Sequence, residues 1–116
     1  TSDRLRLNDP LVPLWKETLA KLTPYPVDAE TGYMVGRGVP FVKSHRHFSH
    51  LMMVYPLHMV DPGSPQDRPL IEKSLGHWMG LGNAHRGYSF TGASAMSSWL
   101  NRPEDSVRYL NSFLDR

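Results

Sequence analysis

Ser44-His45-Arg46-His47-Phe48-Ser49-His50-Leu51-Met52-Met53-Val54-Tyr55-Pro56 packs three histidines and an arginine into six residues, then turns at once into an apolar run. Imidazole is the side chain most readily tuned to bind or move a proton near neutral pH. Desolvating such rings and a guanidinium against a core is costly, so a compensating role is expected of them. Ser44 reads as a helix cap, and the stretch as a helix from about residue 45 to residue 55 that Pro56 kinks or ends. On such a helix Arg46, Ser49 and His50 share a face with Met53, while His47, Leu51 and Val54 share another.

Upstream, residues 24–44 contain Pro24, Pro26, Gly32, Gly36, Gly38 and Pro40. This predicts a long loop, with short strands at 31–35 and 39–42. A loop of that length in a small domain is more often functional than idle. Before it, Leu11, Leu14, Trp15, Leu19 and Leu22 recur at helical spacing, behind an Asp9 cap and Pro10 in the first helical position. Residues 1–9 read as a polar lead-in.

Downstream, Asp61-Pro62-Gly63-Ser64-Pro65 is a turn by composition. Asp67-Arg68-Pro69 opens an amphipathic helix over 70–81 that stops at Gly82-Asn83. Residues 84–89 form a connection, and a further helix covers 90–100. That helix is rich in small residues, which implies close packing on several sides. Asn101-Arg102-Pro103-Glu104-Asp105 starts a last helix, with Val107, Tyr109, Leu110, Phe113 and Leu114 as its apolar face. Trp15, Trp78 and Trp99 read as core. The order is helix, long loop, then four helices: an all-α chain of helical hairpins with one long loop before the His-rich helix.

Composition bounds the function. The 116 residues suffice for one ordinary domain, and 40% hydrophobic with 21% charged residues is a globular balance. A net charge of +2 from thirteen basic and eleven acidic residues is too small and too mixed to argue for nucleic acid. With no cysteine there are no disulfides and no thiolate metal sites. No apolar run approaches ~20 residues, so no membrane partner is expected. The first residue is not Met, which is expected of a piece of a longer protein or of a mature form, and the last residues fall inside a helical pattern, which is expected of a truncated or clipped chain.

The residues of 44–51 together with Tyr55-Pro56 resemble the His-Arg-His-x-Ser-His-Leu … Tyr-Pro signature of glycoside hydrolase family 95. The flanks are similar too. Residues 9–22 resemble the family's preceding helix, and 70–82 the helix after the signature. Arg86-Gly87-Tyr88-Ser89 resembles its Gly-Trp-Ser segment, and 101–105 its helix-linking turn. The resemblance implies part of an (α/α)6 barrel, with residues 1–116 as a single partial domain. It also implies an inverting hydrolase of terminal α-L-fucose or a related sugar, secreted or periplasmic. The family's general-acid Glu would precede residue 1, and its water-activating Asp would follow residue 116. No catalytic residue is therefore assigned within the chain, which alone is expected to be inactive. Two departures leave room for a different substrate: Tyr88 stands in place of Trp, and residues 31–43 lack the acidic character of the family.

The residues expected to bind a glycan are His47 first, then His45, Arg46, His50 and Tyr88. Imidazole and guanidinium groups donate to sugar hydroxyls, and a loop tyrosine offers a stacking face. The bland alternatives are a helix-start cluster for 45–47 and a hydrogen-bonded structural histidine at His50. His45, His47 and His50 supply three nitrogens, as a catalytic zinc site does, but their spacing is not that of a His-Glu-x-x-His pair and no acid lies among them. No metal and no cofactor are expected. Ser89 and Ser94 lack an adjacent base and are not read as nucleophiles. His58, His77 and His85 receive no role. The alternative function is a non-catalytic helical carbohydrate-binding or assembly module. Exposed helix faces would meet the remainder of a parent domain or a second copy.

Overall fold

The computed structural model describes residues 2–5 and 8–115. The elements in order are α1 (Ser2–Leu5), α2 (Val12–Ala20), β1 (Val27–Asp28), β2 (Gly32–Tyr33), a single 3-10 turn (Ser49–Leu51), α3 (Asp67–Gly80), α4 (Gly87–Trp99) and α5 (Pro103–Leu114). The chain is all-α in class, since the one sheet among the described residues has two short strands. The expected lead-in at Thr1, Arg6 and Leu7, and the helical end at Arg116, lie outside the described residues.

α4 and α5 form the best-packed pair, a hairpin joined through Asn101, whose φ of 57° turns the chain out of α4. Ser94 and Ser106 hydroxyls meet across it at 3.0 Å. α3 lies against this pair and carries the core residues Ile71, Leu75 and Trp78. On its other side α3 receives the β1–β2 hairpin. The Tyr33 N–H donates to Ser74 Oγ at 2.8 Å, and that hydroxyl donates to the Leu70 carbonyl at 2.6 Å. Gly32 permits this approach: its φ is +84°, and a Cβ there would press on the Ser74 hydroxyl and stand 3.1 Å from the Ser74 nitrogen. Asp28 closes the hairpin by accepting the N–H groups of Glu30 and Thr31 at 2.9 and 2.8 Å. These bonds hold its carboxyl below the usual range.

Several expectations change. The helix over 45–55 does not form: only Ser49–Leu51 makes a helical turn. The carbonyls that a helix would give to its own N–H groups are taken by distant partners. Trp78 Nε1–H donates to the His45 carbonyl at 2.9 Å, and Ser89 Oγ donates to the Arg46 carbonyl at 2.7 Å. Ser44 caps nothing; its hydroxyl bonds the Gly82 carbonyl and accepts the Ala84 N–H at 3.0 Å. The predicted strand at 31–35 shrinks to Gly32–Tyr33 and pairs upstream with Val27–Asp28. The strand at 39–42 is one bridge, Gly36 to Val39.

In α2 the early proline is Pro13, not Pro10, while Asp9 accepts the Leu11 N–H at 2.8 Å. None of the nine α2 residues is buried; Trp15, expected in the core, is 45% exposed. α3 starts at Asp67 itself, whose carboxylate accepts the Asp61 N–H at 3.0 Å instead of capping. α4 begins at Gly87, three residues before expectation, because the Ser89 hydroxyl accepts the Arg86 N–H at 3.1 Å and completes half of a capping box. On α5 only Tyr109 is buried; Val107, Leu110, Phe113 and Leu114 are exposed. The molecule is accordingly elongated, with a radius of gyration of 16.5 Å, against about 13 Å for a compact chain of this length.

Candidate functional site

Phe48 is the anchor of the site. It is buried among aromatic neighbours, with ring centroids 5.1 Å from Trp78 and 5.0 Å from Tyr88, the latter at 13° and thus stacked. Its seat exists because residue 92 is glycine: a Cβ there would stand 2.6 Å from Phe48 Cζ. This is one function of the small residues of α4, where Gly92, Ala93 and Ser97 are buried.

With Phe48 seated and the carbonyls of His45 and Arg46 tied to Trp78 and Ser89, the backbone of 44–48 is fixed from beneath. The side chains of His45, Arg46 and His47 then project to the surface, where all three are exposed. His45 and His47 rings lie 5.1 Å apart, and His47 meets the Tyr88 ring edge-on at 5.6 Å. The His47 N–H donates to His45 Nδ1 at 3.0 Å. In the neutral ring Nε2 therefore carries the proton and is the donor. Arg46 makes no ion pair among the described residues. Tyr88, expected in a loop, sits in the first turn of α4, half-exposed, and with His47, Phe48, Ser49 and Met52 bounds an open hollow of about 370 Å³.

His50 takes a different course. Its ring is buried, 4% exposed, and stacks on Phe41 at 4.1 Å and 21°. Neither ring nitrogen has a hydrogen-bond partner among the described residues, contrary to the expected hydrogen-bonded histidine. Burial, with a smaller contribution from His77, pulls its pKa down to about 4, so it is neutral at physiological pH. It borders a hollow of about 220 Å³ with Tyr25, Met34, Ser49 and Met52. A third hollow, about 290 Å³, is bounded by Val35, Pro40, Phe41, Val42, Lys43 and His45.

The structure thus brings His45, His47 and Tyr88 together, leaves Arg46 exposed between the two histidines in the chain, and buries His50. The three histidines do not converge on a point. Among the described residues no group of three His, Cys, Asp or Glu side chains is placed to hold a metal ion. No acidic residue lines any of the three hollows. Elsewhere, His77 Nε2–H donates to the Phe41 carbonyl at 2.6 Å and holds the loop on α3. His85 is buried edge-on to Trp78, and His58 packs edge-on to Trp99. Sequence reasoning missed the supporting roles of Ser44, Trp78 and Ser89. The only local signal was a serine three residues after Arg86, the spacing of a capping box.

Comparison of this chain with protein-family models, with curated proteins and with solved structures returns no match. No helix among the described residues is long and apolar enough to cross a membrane.

Proposed function

We propose that this chain is one part of a six-hairpin glycosidase domain of the family 95 kind, in which it forms a sugar-binding wall. The observation that carries the reading is the surface built by His45, His47 and Tyr88, with the exposed Arg46 between the histidines, on a backbone pinned by Trp78 and Ser89. His45 and Arg46 offer N–H donors from a backbone held at both carbonyls, and the half-exposed Tyr88 ring offers a face to the apolar side of a pyranose. The uncovered apolar faces of α2 and α5 fit the same reading, because in a barrel of hairpins neighbouring helices would cover them.

In the intact domain, an acid protonates the glycosidic oxygen while a base activates water on the opposite face of a terminal α-L-fucose or related sugar, inverting the anomeric centre. The two carboxyl groups of such a reaction stand ~6.5–9.5 Å apart. No carboxylate borders the three hollows around residues 35–52 and 88, so in this reading the chain orients the sugar and the acid and base come from the rest of the domain. The family's secreted or periplasmic home belongs to the same proposal. The acid-free lining equally favours a second reading, a carbohydrate-binding module without chemistry.

The test is an amide-resolved NMR titration of the chain against neutral and charged monosaccharide glycosides, with a nitrophenyl α-L-fucoside assay alongside. At least one sugar is expected to shift residues 45–49 and 88, with no turnover. Turnover by these 116 residues alone, or a panel in which no sugar shifts those residues, refutes the proposal.

A further inference from the structure

All eleven acidic residues of the chain lie outside two segments, 31–60 and 73–103. All six histidines lie inside them, together with Arg37, Lys43, Arg46, Lys73, Arg86 and Arg102. Those two segments are the ones that build the candidate site. A net charge of +2 therefore hides an uneven distribution of charge along the chain, and the distribution matters more for a ligand than the total.

Ion pairs among the described residues engage Lys21 with Glu17 on α2, Arg68 with Glu72 on α3, and Arg108 of α5 and the preceding Arg102 with Asp105. Lys73 is likewise engaged, on the Ala29 carbonyl. Lys43 and Arg46 are exposed and have no such partner among the described residues. Arg86 rests on the carbonyls of Asn83 and His85 at 3.2 and 2.7 Å and keeps its charge uncompensated. Arg46 and Arg86 are linked through their backbones. Ser89 Oγ donates to the Arg46 carbonyl and accepts the Arg86 N–H, so a single hydroxyl joins the two backbones. Lys43 and His45 border the same hollow.

The donor inventory points the same way. A neutral sugar hydroxyl both donates and accepts, and its binding sites usually offer acceptors as well as donors. Arginine and lysine side chains offer donors only, and the neutral His45 ring, whose Nδ1 accepts the His47 N–H, keeps Nε2–H as a donor. The Lys43, Arg46 and His45 donors complement a group that only accepts, and the guanidinium fork matches a planar or tetrahedral oxyanion in two-point contact.

Resting on the sugar-binding reading above, we propose that the sugar taken by His45, Arg46 and His47 carries an anionic substituent, a sulfate ester or a uronic carboxylate, held by Arg46 with Lys43 and Arg86 around it.

The experiment is calorimetric titration of the 116-residue chain with four probes at low and at moderate salt: methyl α-L-fucoside, its sulfate ester, a uronic acid glycoside and inorganic sulfate. One charged glycoside is expected to bind at least ~10-fold tighter than the neutral one, the effect of one charge-assisted hydrogen bond. The advantage should shrink as salt rises. The sulfate and uronate arms distinguish the two sources of charge. Arg46→Gln and Lys43→Gln, both on exposed side chains, should each narrow the charged-to-neutral ratio, with thermal melts reporting that the fold is kept. Equal binding of neutral and charged glycosides overturns the anionic substituent and leaves the sugar wall standing. Inorganic sulfate binding as tightly as the sulfated sugar also overturns it, since the site then reads a bare anion. Failure of every glycoside removes the sugar reading and this inference with it.

Discussion

Gly92→Ala and Gly76→Ala are the same chemical change in the interiors of two helices, and they should act in opposite directions. In α4, alanine at 92 gains ~1 kcal/mol of helix propensity over glycine. Its Cβ, however, would stand 2.6 Å from Phe48 Cζ and 3.2 Å from Cδ1. Carbon atoms pack at ~3.5–4.0 Å, so the ring must retreat by about 1 Å. It has nowhere to go, since Trp78 and Tyr88 hold it from other sides. Overpacking of this kind costs ~1–3 kcal/mol or more. Net destabilisation of about 1–2 kcal/mol should lower the main melting transition by roughly 5–10 °C for a domain of this size. In α3, a Cβ at Gly76 meets nothing within 4 Å. Only the propensity gain remains, and the same transition should rise by about 5 °C. Scanning calorimetry of both variants reads the difference directly. Gly92→Ala should also weaken sugar binding, because a displaced Phe48 moves Tyr88 and the adjoining His47. If Gly92→Ala stabilises as much as Gly76→Ala, Phe48 is not seated on α4 and the account of the site fails.

His50 should govern acid stability. Its pKa, about 4 in the fold against 6.5 ordinarily, means that the unfolded chain takes up a proton the native state refuses. Stability is unaffected above about pH 7 and falls between 6.5 and 4, by about 2–3 kcal/mol at pH 4.5. Urea unfolding at pH 7 and 4.5 should show this loss in the natural chain and a flatter dependence in His50→Phe; parallel losses would contradict it. Ser89→Ala removes one donor to Arg46 and one acceptor from Arg86, at a cost of ~1–3 kcal/mol. It should shift the ring resonances of His45 and His47, whereas unchanged rings and stability would mean the segment is held another way. Trp78→Phe deletes the bond to the His45 carbonyl and should speed amide exchange over 45–48 while leaving α5 unaltered, a pattern that hydrogen-exchange mass spectrometry can confirm or deny.

The helices α3 and α5 were legible because their starts are written locally: an acid or polar residue, a proline, then apolar spacing. α4 was legible in its body and not in its start, which depends on Ser89 reaching back to Arg86. The segment after Ser44 misled because Leu51 and Val54 recur at near-helical spacing, while the bonds that prevent a helix come from Trp78 and Ser89, 33 and 43 residues away. Composition pointed to residues 45–47 as a site; only packing separates them from His50. The helical period of α2 was also written in the sequence, but amphipathicity does not say whether a partner for the apolar stripe exists within the same chain.

That helix has a thermodynamic consequence. With none of its nine residues buried, α2 opens at the expense of little more than its own ladder of hydrogen bonds. Helices this short are marginal in water alone. The chain therefore unfolds in at least two steps: α2 melts first, as a small non-cooperative background, and the body centred on Trp78 follows as the cooperative unit. Amide protons in α2 exchange by local fraying, while those beside Ile71 and Met96 report the global free energy.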